Sequence, residues 1–500
     1  VLTVTSEHTR DVDIAIIGSG FGGIGAAVRL MQAGFDDLTI FERADDVGGV
    51  WRDNTYPGCA CDVQSHLYSL SFAPNPDWSR SYSPQGEIYA YLRRVADEFG
   101  VSPRIRLGHE VLEATWDESA ARWRIATSRG PFSARVLVVG SGALSDPAIP
   151  TLPGATHFAG PAFHSARWRH DVDLAGKAVA VVGTGASAIQ FIPAIQPQVG
   201  RLTVYQRTPA WVVPRVDVPY SLAQRRLMAR FPALRRLARG WVYGTRELMG
   251  VAFRHPRLMA LLQRAAERHL EASVPDPELR AKLTPSYTMG CKRILLSNDY
   301  YPALTQPNVE VVVEPIDAVR EGGIVAGGVE RPADVIIYGT GFQVTTQPIA
   351  GHIRGRDGRT LAEHWSPSPA AHLGTTVAGF PNMFYLQGPG TGLGHSSVII
   401  MIEAQIGHML DTLRYLRARG AAAAEPRPEA QAAFVAEVDR QMARTVWATG
   451  GCKSWYLDAT GRNSTLWPGS TWQFRRRVAG FDPAEHVVTP APQLVPAGRA

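Results

Sequence analysis

Cysteine is scarce: the 500 residues hold four, Cys59, Cys61, Cys291 and Cys452. No two of them form a C-x-x-C pair, so the spacing supports neither a zinc site nor a dithiol redox motif, and no metal is expected. So few thiols suit a reducing cytoplasm, which is the expected location. Long apolar runs are missing too. No stretch approaches the roughly eighteen uninterrupted apolar residues of a spanning helix. The start of the chain, 1–10, is polar and lacks the apolar core of a secretory signal. Excess charge is small, 51 Lys and Arg against 45 Asp and Glu, for a net +6. That is too mild to imply a nucleic-acid partner, though it favours small anionic ligands such as dinucleotides. The remaining composition, 45% apolar and 19% charged, is that of a globular chain long enough for two or three domains.

Glycine is placed with a purpose. Gly18-Ser19-Gly20-Phe21-Gly22-Gly23 follows a predicted strand at 13–17 and precedes a predicted helix at 26–33. The first glycine permits a tight turn, the second lets the backbone approach a pyrophosphate, and the third lets helix and strand pack closely. The next strand, 38–41, ends at Glu42, whose carboxylate can accept from a ribose but repels a 2′-phosphate. The residues therefore favour FAD or NAD here over NADP. A second turn, Gly183-Thr184-Gly185-Ala186-Ser187-Ala188, lies between strands at 178–182 and 202–205 and opens a helix at 188–195. The strand after it ends at Gln206-Arg207, a guanidinium in place of the acid. A planar cation there suits the 2′-phosphate of NADP, although a solvated surface arginine is the plainer alternative.

The remaining pattern predicts an α/β fold with two Rossmann-like dinucleotide-binding domains and a helical insertion in the second. Strands are expected at 136–139, 309–313, 334–338 and 383–386, and a helix at 398–410. A Pro/Gly-rich linker covers 147–154, and the proline-bearing tail after 483 is expected to be loosely ordered. The domain boundaries expected are 1–148 and 379–500 for the first fold, and 149–378 for the second, with the insertion at about 215–285. In the insertion, Arg225, Arg226, Arg230, Arg235, Arg236 and Arg239 interleave with Leu222, Leu227, Phe231, Leu234 and Leu237. One solvated face and one core face are expected rather than membrane contact, and Pro232 should interrupt the helix.

Between the two turns lies Phe158-Ala-Gly160-Pro-Ala-Phe-His164-Ser-Ala-Arg-Trp168. This string resembles the fingerprint of type I Baeyer–Villiger monooxygenases, departing from it at Arg169, where the family usually has Pro or Asp. Trp168 separates it from related flavin-containing monooxygenases and N-hydroxylases, whose string usually ends in Phe or Tyr. Other stretches resemble the same family: Gly48-Gly49-Val50-Trp51, Tyr56-Pro57-Gly58, Cys61-Asp62-Val63, Gly290-Cys291-Lys292-Arg293, Tyr338-Gly339-Thr340-Gly341-Phe342, Gly379-Phe380-Pro381-Asn382, Gly388-Pro389 and Lys453-Ser454-Trp455-Tyr456. The likeness runs from about residue 10 to about 475.

The resemblance implies FAD in the first fold and NADP(H) in the second, with a ketone and O2 as substrates. A C4a-peroxyflavin anion attacks the carbonyl, and the adduct rearranges to an ester or lactone. It also implies site residues: Arg293 as the cation beside the flavin, Asp62 as its orienting carboxylate, and Lys292 on the NADP phosphate. Gly18, Gly20, Gly23, Glu42 and Trp51 fall on the FAD side, with Gly183, Gly185, Ser187, Arg207 and the mobile-segment Trp455 on the NADP side. Read from the residues alone, Asp62 and Arg293 need not meet, Trp455 could be a core aromatic, and His164 reads as a hydrogen-bonded residue in a hinge rather than a proton carrier. An S- or N-oxidising flavin monooxygenase is the alternative function; it would use the neutral hydroperoxide, whereas Arg293 favours the anion. A reductase without oxygen insertion fits less well, its dithiol form lacking the C-x-x-C pair. No residue names the ketone or an oligomeric state.

Overall fold

The structure, a computed structural model, describes residues 9–491, so the polar start (1–8) and the end of the proline-bearing tail lie outside the described residues. The strand Arg10–Ile17 feeds the first glycine turn and pairs in parallel with Leu38–Phe41 on one side and Gly130–Val139 on the other. Its inner half, Ile14 to Ile17, is buried on both faces, as a central parallel strand requires. Gly130–Val139 forks. Its first half pairs antiparallel with Arg122–Thr127, and at Leu137 to Val139 the late strand Met383–Tyr385 takes over in parallel. Val111–Asp117 extends this sheet, and Ile353–Arg354 closes its edge. The chain thus rejoins the first sheet upstream of residue 379.

The helix Phe21–Gln32 begins ahead of the expected residue 26, because the glycines form its first turn. A Cβ on Gly23 would lie 1.8 Å from the Gly18 carbonyl oxygen, so strand and helix meet there backbone to backbone. The late helix Val398–Arg419 packs against this one. It runs past the predicted 410 and stops where Gly420 takes a left-handed conformation.

The second sheet is wholly parallel, in the order Val309–Val312, Arg201–Tyr205, Ala178–Val182, Val335–Tyr338, Ala162–His164. It repeats the first turn's construction. Gly18 N–H donates to Phe41 O (2.8 Å), and Gly183 N–H to Tyr205 O (3.0 Å). Each turn also faces a second glycine pair: Gly18 abuts Gly140, and Gly183 abuts Gly339.

The insertion is helical, as expected: Leu222–Arg230, Pro232–Arg254, Pro256–Ser273 and Pro277–Leu283. Three of these start on proline, whose missing N–H costs nothing in a first turn. The expected division of faces is partly inverted. Arg239 points inward and donates to the carbonyls of His66, Leu67 and Ser69 (3.3, 3.2 and 2.9 Å), while Leu237 and Trp241 are 68% and 76% exposed. Buried carbonyls need donors, and a charged donor serving three of them outweighs the burial of one leucine. No helix of the described residues is long and apolar enough to cross a membrane. The tail is also more ordered than expected: His486–Pro490 pairs antiparallel with Ala421–Pro426. Its Pro483 and Pro490 fall at element ends, where no ladder N–H is lost.

Candidate active site

A cleft runs along the first glycine turn, lined by Gly18, Gly20, Glu42, Trp51, Ser141 and Leu386 among others. Only the Gly49 Cα comes within 4 Å of where a Gly20 side chain would begin, leaving the backbone open to a pyrophosphate at the helix N-terminus. Glu42 is buried and held in place by protein donors. One oxygen accepts from Ser19 N–H (3.0 Å) and Ser19 Oγ (2.7 Å), and the other from Ala44 N–H (3.0 Å) and Arg52 Nη1 (3.1 Å). Burial works against the Arg52 charge, but Asp53 and Glu42 outweigh it and hold the guanidinium above its ordinary value. Trp51 donates its indole N–H to Tyr68 Oη (3.1 Å), which fixes the ring in the cleft wall. These residues fit FAD.

The two folds meet at a seam. The loop carrying Tyr56, Gly58 and Asp62 lies across the helix Ala188–Ile195 that follows the second glycine turn. Ala60 N–H donates to Gln190 Oε1 (2.8 Å), and Gly58 sits so close to the Gln190 carbonyl that a Cβ would lie 2.8 Å from it. Tyr56 reaches the Ser187 hydroxyl. At this seam Asp62 and Arg293 come together across 231 positions. Arg293 Nε and Nη2 both reach Asp62 Oδ2 at 2.6 Å, and both side chains are half-buried. Burial opposes the Arg293 charge, but the attraction of Asp62 more than offsets it and raises the guanidinium further above neutrality. The remaining nitrogen, Nη1, makes only a long contact to Leu393 O (3.4 Å). Cys61, buried next to Asp62, is a free thiol that burial pushes far up, so it is no nucleophile at neutral pH.

In the second fold, the hydrogen bonds that pair Phe41 with Tyr205 make Gln206, not Arg207, the one-to-one counterpart of Glu42. Gln206 is buried and donates to Lys282 O (2.9 Å), while Arg207 stands one residue on and exposed. Lys292 lies close by, its ammonium 5.0 Å from the centre of the Tyr287 ring. Burial and the Arg207 charge both lower its pKa. Two cations that repel each other at one surface would both be relieved by an anion placed between them. His164 is buried and accepts from Ala166 N–H through Nδ1 (3.1 Å), and burial holds its pKa at about 4. It is a neutral structural residue. Trp168 packs on Phe191 of the same seam helix, and Arg167 reaches Asp53 of the first fold (3.6 Å), so the 158–168 string touches both folds. Trp455 is 44% exposed and lies on Tyr456, which rules out the core-aromatic reading.

The geometry can be set beside known proteins. The model of the flavin-binding monooxygenase-like family matches residues 11–239. A Baeyer–Villiger monooxygenase of Streptomyces coelicolor is 54% identical over 99% of this chain and 95% of its own length, and one of Pseudomonas aeruginosa is 48% identical over 98% and 93%. The chain belongs to the Baeyer–Villiger monooxygenases. Solved structures agree across the whole fold. A steroid monooxygenase bound to NADP has a TM-score of 0.84 at 34% identity, covering 96% of this chain and 99% of that one. A Rhodococcus cyclohexanone monooxygenase bound to NADP+ has 0.84 at 30%, covering 97% and 100%.

Within this Baeyer–Villiger monooxygenase, three features of the site escape sequence reasoning. Ser19 and Arg52 hold Glu42, a role no spacing rule assigns. Tyr456, read only as part of a motif, is buried beside Arg293 with its hydroxyl lacking a hydrogen bond of good geometry. Burial pushes that phenol to about 12, although Arg293 pulls it down. Finally, Cys291 and Cys452 form a disulfide, a pairing that the sequence reading did not anticipate. Local C-x-x-C spacing is blind to partners 161 positions apart. The signal that could have found them is their place at two family motifs: Cys291 lies within the one that carries Arg293, and Cys452 directly precedes the one that carries Trp455.

Proposed function

We propose that the fold built on Gly18, Gly20 and Gly23 (1–148 and 379–500, with 353–354 as an added edge strand) holds FAD. The fold built on Gly183, Gly185 and Ser187 (149–378) holds NADP(H), with Arg207 and Lys292 on its 2′-phosphate. At the seam between them, one atom of O2 is inserted beside a ketone carbonyl to give an ester or lactone. FAD when bound supplies electron transfer from NADPH and the activation of O2. The protein's part is to keep an attacking oxygen anionic and to stabilise the oxyanion formed when it adds to the carbonyl. Arg293 serves both needs, because a permanent charge in a half-buried, water-poor site acts far more strongly than in solution. Asp62 orients it: both bonds to one carboxylate oxygen fix the guanidinium plane and leave Nη1 to donate to a developing oxyanion. Glu42 faces the FAD ribose, and Trp51 walls the flavin side.

The observation that carries this reading is the Asp62–Arg293 pair at 2.6 Å, placed where the two nucleotide folds meet. The test is incubation with FAD, NADPH, isotopically labelled O2 and panels of ketones, sulfides and amines. Ester or lactone carrying one labelled oxygen is expected. Sulfoxide or N-oxide alone, without ketone product, would sink the reading.

A further inference from the structure

The Cys291–Cys452 disulfide sits at the most consequential crossing in the molecule. Cys291 precedes Lys292 and Arg293 directly. Cys452 precedes Lys453, Trp455 and Tyr456. The late segment is otherwise weakly held: among the described residues, its one backbone hydrogen bond beyond 451–456 is a local turn, Leu457 N–H to Ser454 O (3.1 Å). What holds it is Gly450 at one end, the buried ring of Tyr456 at the other, and the disulfide between. Gly450 O accepts from Thr288 N–H (3.0 Å), and Gly450 packs so tightly that a Cβ would lie 2.6 Å from Cys291 Cβ. Beneath the bond, Cys291 shares an apolar cluster with Phe253 and Met259 of the insertion and with Trp447 and Tyr456 of the late segment. Tyr456, at the far end of the tethered stretch, is the side chain that lies against Arg293.

We infer that Cys291 and Cys452 are positioning residues for the oxygenation reaction: their disulfide is a reversible tether that holds the Trp455–Tyr456 segment over Arg293 and the NADP site. The bond is built to be cut from one side. Cys291 is buried, but Cys452 is half-buried and flanked by exposed Gly451 and Lys453. A small dithiol attacks Cys452 Sγ, the S–S bond breaks, and the Cys291 sulfur leaves as a thiolate. Closure of the dithiol to its own cyclic disulfide then frees the second protein sulfur. Two electrons and two protons pass from dithiol to cystine, giving two protein thiols. Once released, 451–456 keeps only its end contacts, so Trp455 and Tyr456 lose their fixed place. The oxidised enzyme therefore retains NADP and couples NADPH consumption to ester, and the reduced enzyme leaks.

This inference rests on the proposed assignment of the seam, and the test separates the two. Holoenzyme equilibrated with oxidised glutathione is denatured, alkylated without reduction and digested. A peptide linking Cys291 to Cys452 is expected, with label only on Cys59 and Cys61; label on all four overturns the tether. The oxidised and dithiol-treated holoenzymes are then compared. Reduction should raise the dissociation constant for NADP+ by about 5–10-fold, raise the hydrogen peroxide formed per NADPH, and speed tryptic cleavage at Lys453, while flavin reduction at saturating NADPH stays unchanged. The C452S and C291S/C452S variants should match the reduced enzyme and ignore dithiol. Equal NADP+ affinity and equal product split in both states overturn the inference, even if the melting temperature falls. Absence of ester in both states would instead count against the proposed reaction, since affinity and proteolysis still report the tether.

Discussion

The two glycine turns share one construction but differ in how tightly they are closed. In the first, the third glycine touches the first backbone to backbone, and four donors lock Glu42. In the second, Ala188 fills the third place, a neutral Gln206 stands where Glu42 would be, and Arg207 projects from the surface. The first turn is pre-formed down to its carboxylate; the second presents cations and leaves its ligand side open. That contrast suits a cofactor that stays against one that exchanges, and it yields experiments that break one turn without the other.

The largest effect should come from the third position. Gly23→Ala places a Cβ 1.8 Å from Gly18 O, where nothing but backbone can yield. The purified variant should carry no flavin absorbance. Ala188→Gly removes a methyl that the second turn tolerates, costing about 1 kcal/mol of stability and leaving NADPH-dependent flavin reduction intact. Full FAD content in Gly23→Ala would dissolve the distinction between the turns.

At the seam, Arg293→Ala should leave flavin reduction near normal and lower ester formation by about 10²–10³-fold, the usual cost of an oxyanion-stabilising donor. Stopped-flow bleaching of the flavin followed by product analysis separates the steps. Normal ester yield would remove Arg293 from the chemistry; loss of flavin reduction would give it to the NADP side instead.

Smaller again is the phosphate end. Arg207→Ala should raise the Michaelis constant for NADPH by about 10-fold or more and barely move that for NADH, since a charged hydrogen bond contributes about 1.5–3 kcal/mol. Gln206→Glu goes further by rebuilding the first turn's carboxylate in the second, and should shift the preference towards NADH. Equal effects on both nucleotides would mean that neither residue reads the phosphate.

The parts of this molecule legible in the sequence are those set by local backbone geometry. Gly18 to Gly23 and Gly183 to Ala188 reveal two nucleotide folds because turn, close approach and helix start all need small residues at fixed spacing. Helix extents were less legible, since Phe21 joins its helix only once the glycines close up on Gly18. The faces of the insertion were misjudged because Arg239 answers carbonyls at 66, 67 and 69, far away in sequence. The same distance hides the disulfide, and it hides the Asp62–Arg293 contact from everything except family resemblance. Which residue opposes Glu42 is a matter of hydrogen-bond register, and Gln206 emerges only when Phe41 is aligned with Tyr205.

The smallest expected effect lies in stability and again separates the folds. The returning part of the first fold buries His372 and His408, each held at about 4 mainly by burial, although Glu485 at 3.2 Å pulls His372 upward. The second fold buries one such group, His164. A histidine kept neutral in the fold binds fewer protons than in the unfolded chain between about pH 4 and its ordinary 6.5. Stability is therefore unaffected above 6.5 and lost as pH falls through that window, by about 1 kcal/mol per group at pH 5.5. Acid should weaken the first fold about twice as much as the second, so flavin should dissociate before NADP+ affinity declines. His408→Gln should flatten the fall in melting temperature between pH 7.5 and 5.5, and His164→Gln should do so to a similar degree. An identical fall in both variants and in the parent protein would show that these histidines do not set the acid limit.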